Sequence, residues 1–128
     1  MLLVGIDLVE NERIQRSMQK PRFCTAILGE TEYRQLSERG FPVQSVAASF
    51  CAKEAFGKAL GCGLLGFSLR EVELLRRPSG APYLQLSGRA AELAAARGVC
   101  FSVSVTHTKH YASAVVVGEG SNGESENS

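Results

Sequence analysis

The chain has 128 residues, of which 45% are hydrophobic, enough for one soluble domain with one core. Its 14 basic and 13 acidic side chains leave a formal net charge of +1, so no whole-molecule field draws it to nucleic acid or to a membrane surface. A charged partner has to be met by a local patch.

The apolar start is interrupted by Asp7 and Glu10 and has no basic leader, which argues against a signal peptide or a membrane span and makes the cytoplasm the expected location. Residues 2–9, with β-branched Val4, Ile6 and Val9, read as a strand buried on both faces, with Asp7 in its middle. Asn11 follows as a candidate cap of a short helix through Glu12, Arg13, Ile14 and Met18, stopped by Pro21. The exposed face of that helix carries Arg13, Arg16 and Lys20. Cys24, Cys51, Cys62 and Cys100 are scattered without a CxxC pair and are expected to be reduced and structural.

A second helix is predicted over residues 30–39, closing at Gly40 with Pro42 beyond it. The strongest helical signal covers residues 43–60, where Val43, Val46, Ala47, Phe50, Gly57 and Leu60 recur at helical spacing before Gly61-Cys62-Gly63. Residues 69–75 and 82–86 read as strands of a hairpin around the turn-rich Pro78-Ser79-Gly80-Ala81-Pro82. Residues 90–97 are alanine-rich and helical. Residues 99–106 then alternate, with Val99, Phe101, Val103 and Val105 on one face and Cys100, Ser102, Ser104 and Thr106 on the other. Residues 111–117 make a partner strand. Residues 119–128 hold no apolar anchor and read as a disordered polar tail after a domain spanning 1–118. This order gives α+β as the fold class, with a mainly antiparallel sheet against a long helix.

An ionised carboxylate in an apolar strand needs a partner, so Asp7 either meets an arginine, caps a neighbouring helix or binds a metal. Glu54 borders the buried face of the long helix, and it can equally form an exposed pair with Lys58 at i,i+4. One carboxylate from a strand and one from a helix suit Mg²⁺, which takes few protein oxygens and completes its shell with water and phosphate. Lys58 with the glycines at 61 and 63 can hold phosphate or can be an ordinary helix end with a solvated lysine. His107 and His110 fall on opposite faces if the strand continues, which disfavours a shared zinc site. His107 can donate to a phosphate or sit in a strand-end turn.

Three blocks carry a resemblance: Val4-Gly5-Ile6-Asp7-Leu8-Val9-Glu10, Ser49-Phe50-Cys51-Ala52-Lys53-Glu54-Ala55-Phe56-Gly57-Lys58-Ala59-Leu60-Gly61, and Ser102-Val103-Ser104-Val105-Thr106-His107-Thr108. In order and spacing they resemble the holo-[acyl-carrier-protein] synthase family of phosphopantetheinyl transferases over residues 2–117. The resemblance implies a Mg²⁺-dependent transfer of 4′-phosphopantetheine from coenzyme A to a serine of an acyl carrier protein, in support of fatty acid biosynthesis. It implies that Asp7 and Glu54 bind the metal and are catalytic, with Glu54 the candidate base through a metal-bound water. Lys58, Gly61, Gly63, His107 and Thr108 would line the coenzyme A site. Arg13, Arg16, Lys20 and Arg22 would dock the acidic carrier, chiefly through Arg13, and the assembly would be a homotrimer.

The chain departs from the family pattern where Ser49 stands for a usual arginine, Ala81 for a lysine in the Gly-Lys-Pro turn, and Ala26 for a common basic residue. Two other readings remain: a non-catalytic module that binds carrier protein, and a different Mg²⁺-dependent phosphotransferase acting on a nucleotide.

Overall fold

The computed structural model describes residues 1–120. The chain runs β1 (Leu2–Glu10), α1 (Asn11–Met18), α2 (Phe23–Ile27), α3 (Glu30–Ser37), α4 (Val43–Leu60), β2 (Val72–Arg76), β3 (Pro82–Leu86), α5 (Gly88–Arg97), β4 (Val99–His107) and β5 (Tyr111–Gly120). An antiparallel sheet in the order β1-β5-β4 carries α4 across one face, and β2 and β3 form a separate hairpin packed near α4 and β4. This is the α+β arrangement expected, with the long helix at its centre.

The core gathers on α4, because its small residues let neighbouring backbone approach. Ala47, Cys51, Ala52 and Ala55 are buried, and Phe56 fills the space between the helix and the sheet. The Phe56 ring meets Phe67 at 5.2 Å and Phe101 at 4.9 Å between centroids, so one side chain joins helix, loop and β4. Gly61 ends α4 in the left-handed region at φ +81°, the conformation for which a glycine is expected there. On β4, Val99, Phe101, Val103 and Val105 turn toward the core, while Cys100, Ser102, Ser104 and Thr106 are exposed, as the alternation requires.

A buried ionic link fixes the far side of α4. Lys53 and Glu32 are both wholly buried, with Nζ 2.7 Å from Glu32 Oε1, and Lys53 also donates to the Val72 carbonyl. Glu32 accepts from the Gly29 and Leu74 amides, and the Glu32 amide donates to Glu73. Every charge in the cluster is thereby hydrogen-bonded, which is the condition for tolerating it in a core.

Four sequence expectations need correction. β1 is not buried on both faces: Leu2, Val4, Ile6 and Leu8 are 57–65% exposed, because α4 covers only the face that carries Gly5, Asp7 and Val9. Asn11 does not cap α1; Glu10 occupies the cap position without a side-chain bond, and the Asn11 side chain points elsewhere. Residues 69–71 form a 3₁₀ turn, not the start of a strand, and α2 has no counterpart in the sequence reading. Glu119 and Gly120 belong to β5, so the strand extends beyond the boundary at residue 118, and the rest of the proposed tail lies outside the described residues. None of the described helices is long and apolar enough to cross a membrane.

Candidate active site

β1 lies against α4 with unusual closeness at Gly5, where a Cβ would fall 1.9 Å from the Ala55 carbonyl oxygen and 2.6 Å from the Ala59 amide. Only glycine permits that approach. It brings Asp7, two residues further along the same face, up to the last turns of α4.

There the Lys58 ammonium donates to Asp7 Oδ1 at 3.1 Å and to the Ile6 carbonyl at 3.1 Å. The cation that meets Asp7 is therefore Lys58, and not the arginine that the sequence suggested. Among the described residues Lys58 pairs with Asp7 and not with Glu54, so the exposed i,i+4 pair is not formed. Burial, and then the negative charge of Asp7, push the Glu54 carboxyl above its usual range, while Lys58 and Arg13 pull it back. Asp7 and Glu54 thus share one electrostatic environment at the β1–α4 seam.

The donor set fits a small hard cation. Two carboxylates that repel each other, one from a strand and one from a helix, offer oxygen ligands whose mutual repulsion a divalent ion would relieve. The described residues contain no group of three His, Cys, Asp or Glu side chains able to hold a metal, so such an ion would complete its shell from water and a bound phosphate. The nearby Cys51 thiol does not compete: burial and the Asp7 charge push it up to about 12, and it donates to the Ala112 carbonyl.

The other expected site residues are arranged less simply. The amides of Gly61, Cys62 and Gly63 donate to the Lys58 and Gly57 carbonyls, and a Cβ on Gly57 would lie 2.0 Å from the Gly63 carbonyl oxygen. The glycine segment is therefore a helix cap folded back on α4, and its N–H groups do not form the anion cradle that the sequence suggests. Gly61 and Gly63 can only offer a surface without side chains. His107 is exposed at the end of β4 and lines a cavity with Gln44, Ser45 and Arg76. The Thr108 hydroxyl accepts from the His110 and Tyr111 amides at 3.3 and 3.1 Å, so it orders the turn between β4 and β5.

Sequence reasoning missed what Asn11 does. Its side-chain amide donates to the Thr108 and Lys109 carbonyls at 3.2 and 3.1 Å, tying the start of α1 to that turn. No sequence signal links positions 97 and 98 residues apart. Arg13 projects toward the site, its guanidinium 5.9 Å from the centroid of the Phe50 ring. Arg16 pairs with Glu12 at 3.8 Å, and Lys20 and Arg22 are exposed nearby.

Comparison with known proteins adds an independent line. Residues 3–116 match the family model of the 4′-phosphopantetheinyl transferase superfamily. The holo-[acyl-carrier-protein] synthase of Caldanaerobacter subterraneus is 36% identical over 121 residues, covering 93% of this chain and 95% of the relative. That of Maridesulfovibrio salexigens is 42% identical over 118 residues, covering 89% and 94%. Among solved structures, the Neisseria meningitidis holo-[acyl-carrier-protein] synthase superposes with a TM-score of 0.85 at 30% identity, covering 91% of this chain and 97% of that one. The Helicobacter pylori synthase in complex with coenzyme A gives 0.77 at 30% identity, with 91% and 100% covered.

Proposed function

This chain belongs to the 4′-phosphopantetheinyl transferase superfamily, in the branch of the holo-[acyl-carrier-protein] synthases, and from that premise we propose how its own residues carry out the transfer. The substrates are coenzyme A and the serine of an apo acyl carrier protein; the products are the holo carrier, for fatty acid biosynthesis, and adenosine 3′,5′-bisphosphate. The observation that carries the reading is the meeting of Asp7, Glu54 and Lys58 at the seam that Gly5 closes.

In this reaction the serine oxygen bonds to the β-phosphorus of coenzyme A as the bond to the bridging oxygen breaks. Most of the rate must then come from placing the reactants and neutralising charge. Asp7 and Glu54 would hold Mg²⁺, which when bound polarises the phosphorus under attack. Lys58, half-exposed beside Asp7, would meet pyrophosphate oxygens. Glu54 would receive the serine proton through an intervening water.

Arg13, at the edge of the site, would meet the acidic carrier, with Arg16, Lys20 and Arg22 extending the basic surface. The reading places the protein in the cytoplasm as a homotrimer. The exposed row of Leu2, Val4, Ile6 and Leu8, continued across β5 by Val117 and Val115, supports self-association, since an apolar strip of this kind is seldom left in water.

Incubation with coenzyme A and an apo carrier should release adenosine 3′,5′-bisphosphate, and a carrier whose acceptor serine is replaced by alanine should release none. Release from neither, with folded protein, would favour the non-catalytic carrier-binding module.

A further inference from the structure

We infer that Asn11 is a positioning residue for coenzyme A binding: it clamps the β4–β5 turn and thereby holds His107 in place at the cavity beside α4. This rests on the reading of His107 as a coenzyme A contact. His107 is the last residue of β4, and it lines a cavity of about 450 Å³ with Gln44, Ser45 and Arg76. Thr108, Lys109 and His110 follow it as an exposed turn with no apolar side chain to anchor it.

The anchor comes from the junction of β1 and α1. Asn11 donates through its backbone amide to the His110 carbonyl at 2.8 Å, and through its side-chain amide to the carbonyls of Thr108 at 3.2 Å and Lys109 at 3.1 Å. Three successive carbonyls of the turn thus meet one residue. Gln44 adds only a long contact of 3.5 Å to the Thr108 carbonyl. Because both neighbours of the side-chain nitrogen are carbonyls, reversing the amide would set oxygen against oxygen. His107 and Val9 both pair with Ala112, from opposite sides, so the turn and Asn11 meet at the same end of the sheet.

The same side chain carries a cost. Asn11 is 7% exposed, and its Oδ1 is the one buried side-chain polar atom without a hydrogen-bond partner among the described residues. An orphaned buried acceptor destabilises a fold, and an apolar side chain of similar shape would avoid it. The carbonyls that Asn11 serves belong to exposed residues, which water can satisfy, so stability gives little reason for an asparagine here. A fixed turn does give one: it removes in advance the freedom that His107 would otherwise lose when coenzyme A binds.

Asn11→Leu keeps the volume and the backbone bond to His110, and removes the two side-chain bonds. By calorimetry it should weaken coenzyme A binding about five- to twentyfold, with KM for coenzyme A raised to match and both kcat and KM for the carrier within about twofold. His107→Ala should weaken coenzyme A to a similar degree. The double variant should bind no more weakly than His107→Ala alone, since Asn11 acts through His107; a merely structural loss would add to it. Asn11→Ala, read in the same cycle, replaces Asn11→Leu if the leucine variant does not fold. Fully additive losses, or unchanged binding in the Asn11 variant while His107→Ala weakens it, would overturn the inference alone. Wild-type protein that does not bind coenzyme A, or a His107→Ala variant that binds it normally, would overturn the reading beneath it and the inference together.

Discussion

Lys58 Nζ lies 3.1 Å from Asp7 Oδ1, so a cation from the last turn of α4 closes on the carboxylate at the centre of β1. With half of the Lys58 side chain in solvent, the pair contributes little to stability. Its value is placement, since it holds the charge proposed to meet phosphate beside the carboxylates proposed to hold the metal.

Asp7→Asn and Glu54→Gln keep the shape of each side chain and remove its charge. Each should lower kcat/KM for transfer by at least about a hundredfold while the urea midpoint moves little. Steady-state kinetics on both variants, at saturating Mg²⁺, decides the point; turnover near wild type in either would remove that residue from the site.

Lys53 stands next to Glu54 in sequence but faces the opposite side of the helix packing, in the cluster with Glu32 and Glu73. Burial pulls its pKa below the ordinary lysine value, although Glu32 opposes the shift. Lys53→Met would leave the Glu32 carboxylate buried without its cation and should cost about 3–5 kcal/mol in urea unfolding. Lys53→Met combined with Glu32→Gln should recover part of that loss, because it removes the stranded charge.

Arg13→Glu reverses the charge at the edge of the site. KM for the carrier should rise by about tenfold or more, with KM for coenzyme A changing less, and the carrier effect should shrink as salt is added. An unchanged carrier KM would place the docking surface elsewhere.

Ile6 is 62% exposed in the single chain, on the face of β1 turned away from α4. Ile6→Lys should convert the assembly to monomers in sedimentation velocity without loss of secondary structure. Wild-type protein that already sediments as a monomer would show that this face is not an interface between copies.

Much of this architecture is legible in the residues themselves. The long helix, its glycine stop, the alternation of β4 and the β2–β3 hairpin all follow from periodicity and turn residues, and Asp7 and Glu54 stand out as carboxylates in apolar surroundings. What is not legible depends on tertiary placement. An apolar run such as residues 2–9 looks the same whether helices cover both faces or one face awaits another surface. The Asn11 amide meets carbonyls at the opposite end of the sequence, and Lys53 finds its partner on α3. The glycines at 61 and 63 resemble a phosphate loop because a helix cap and an anion cradle draw on the same residue type; only the hydrogen bonds to Gly57 and Lys58 separate them.

The most direct test of the central claim is intact mass spectrometry of an apo acyl carrier protein after incubation with this protein, coenzyme A and Mg²⁺, beside a sample containing EDTA. The account predicts a gain of one phosphopantetheine that EDTA blocks. No gain with several carriers would contradict the assigned reaction, and a gain that survives EDTA would contradict the roles given to Asp7 and Glu54.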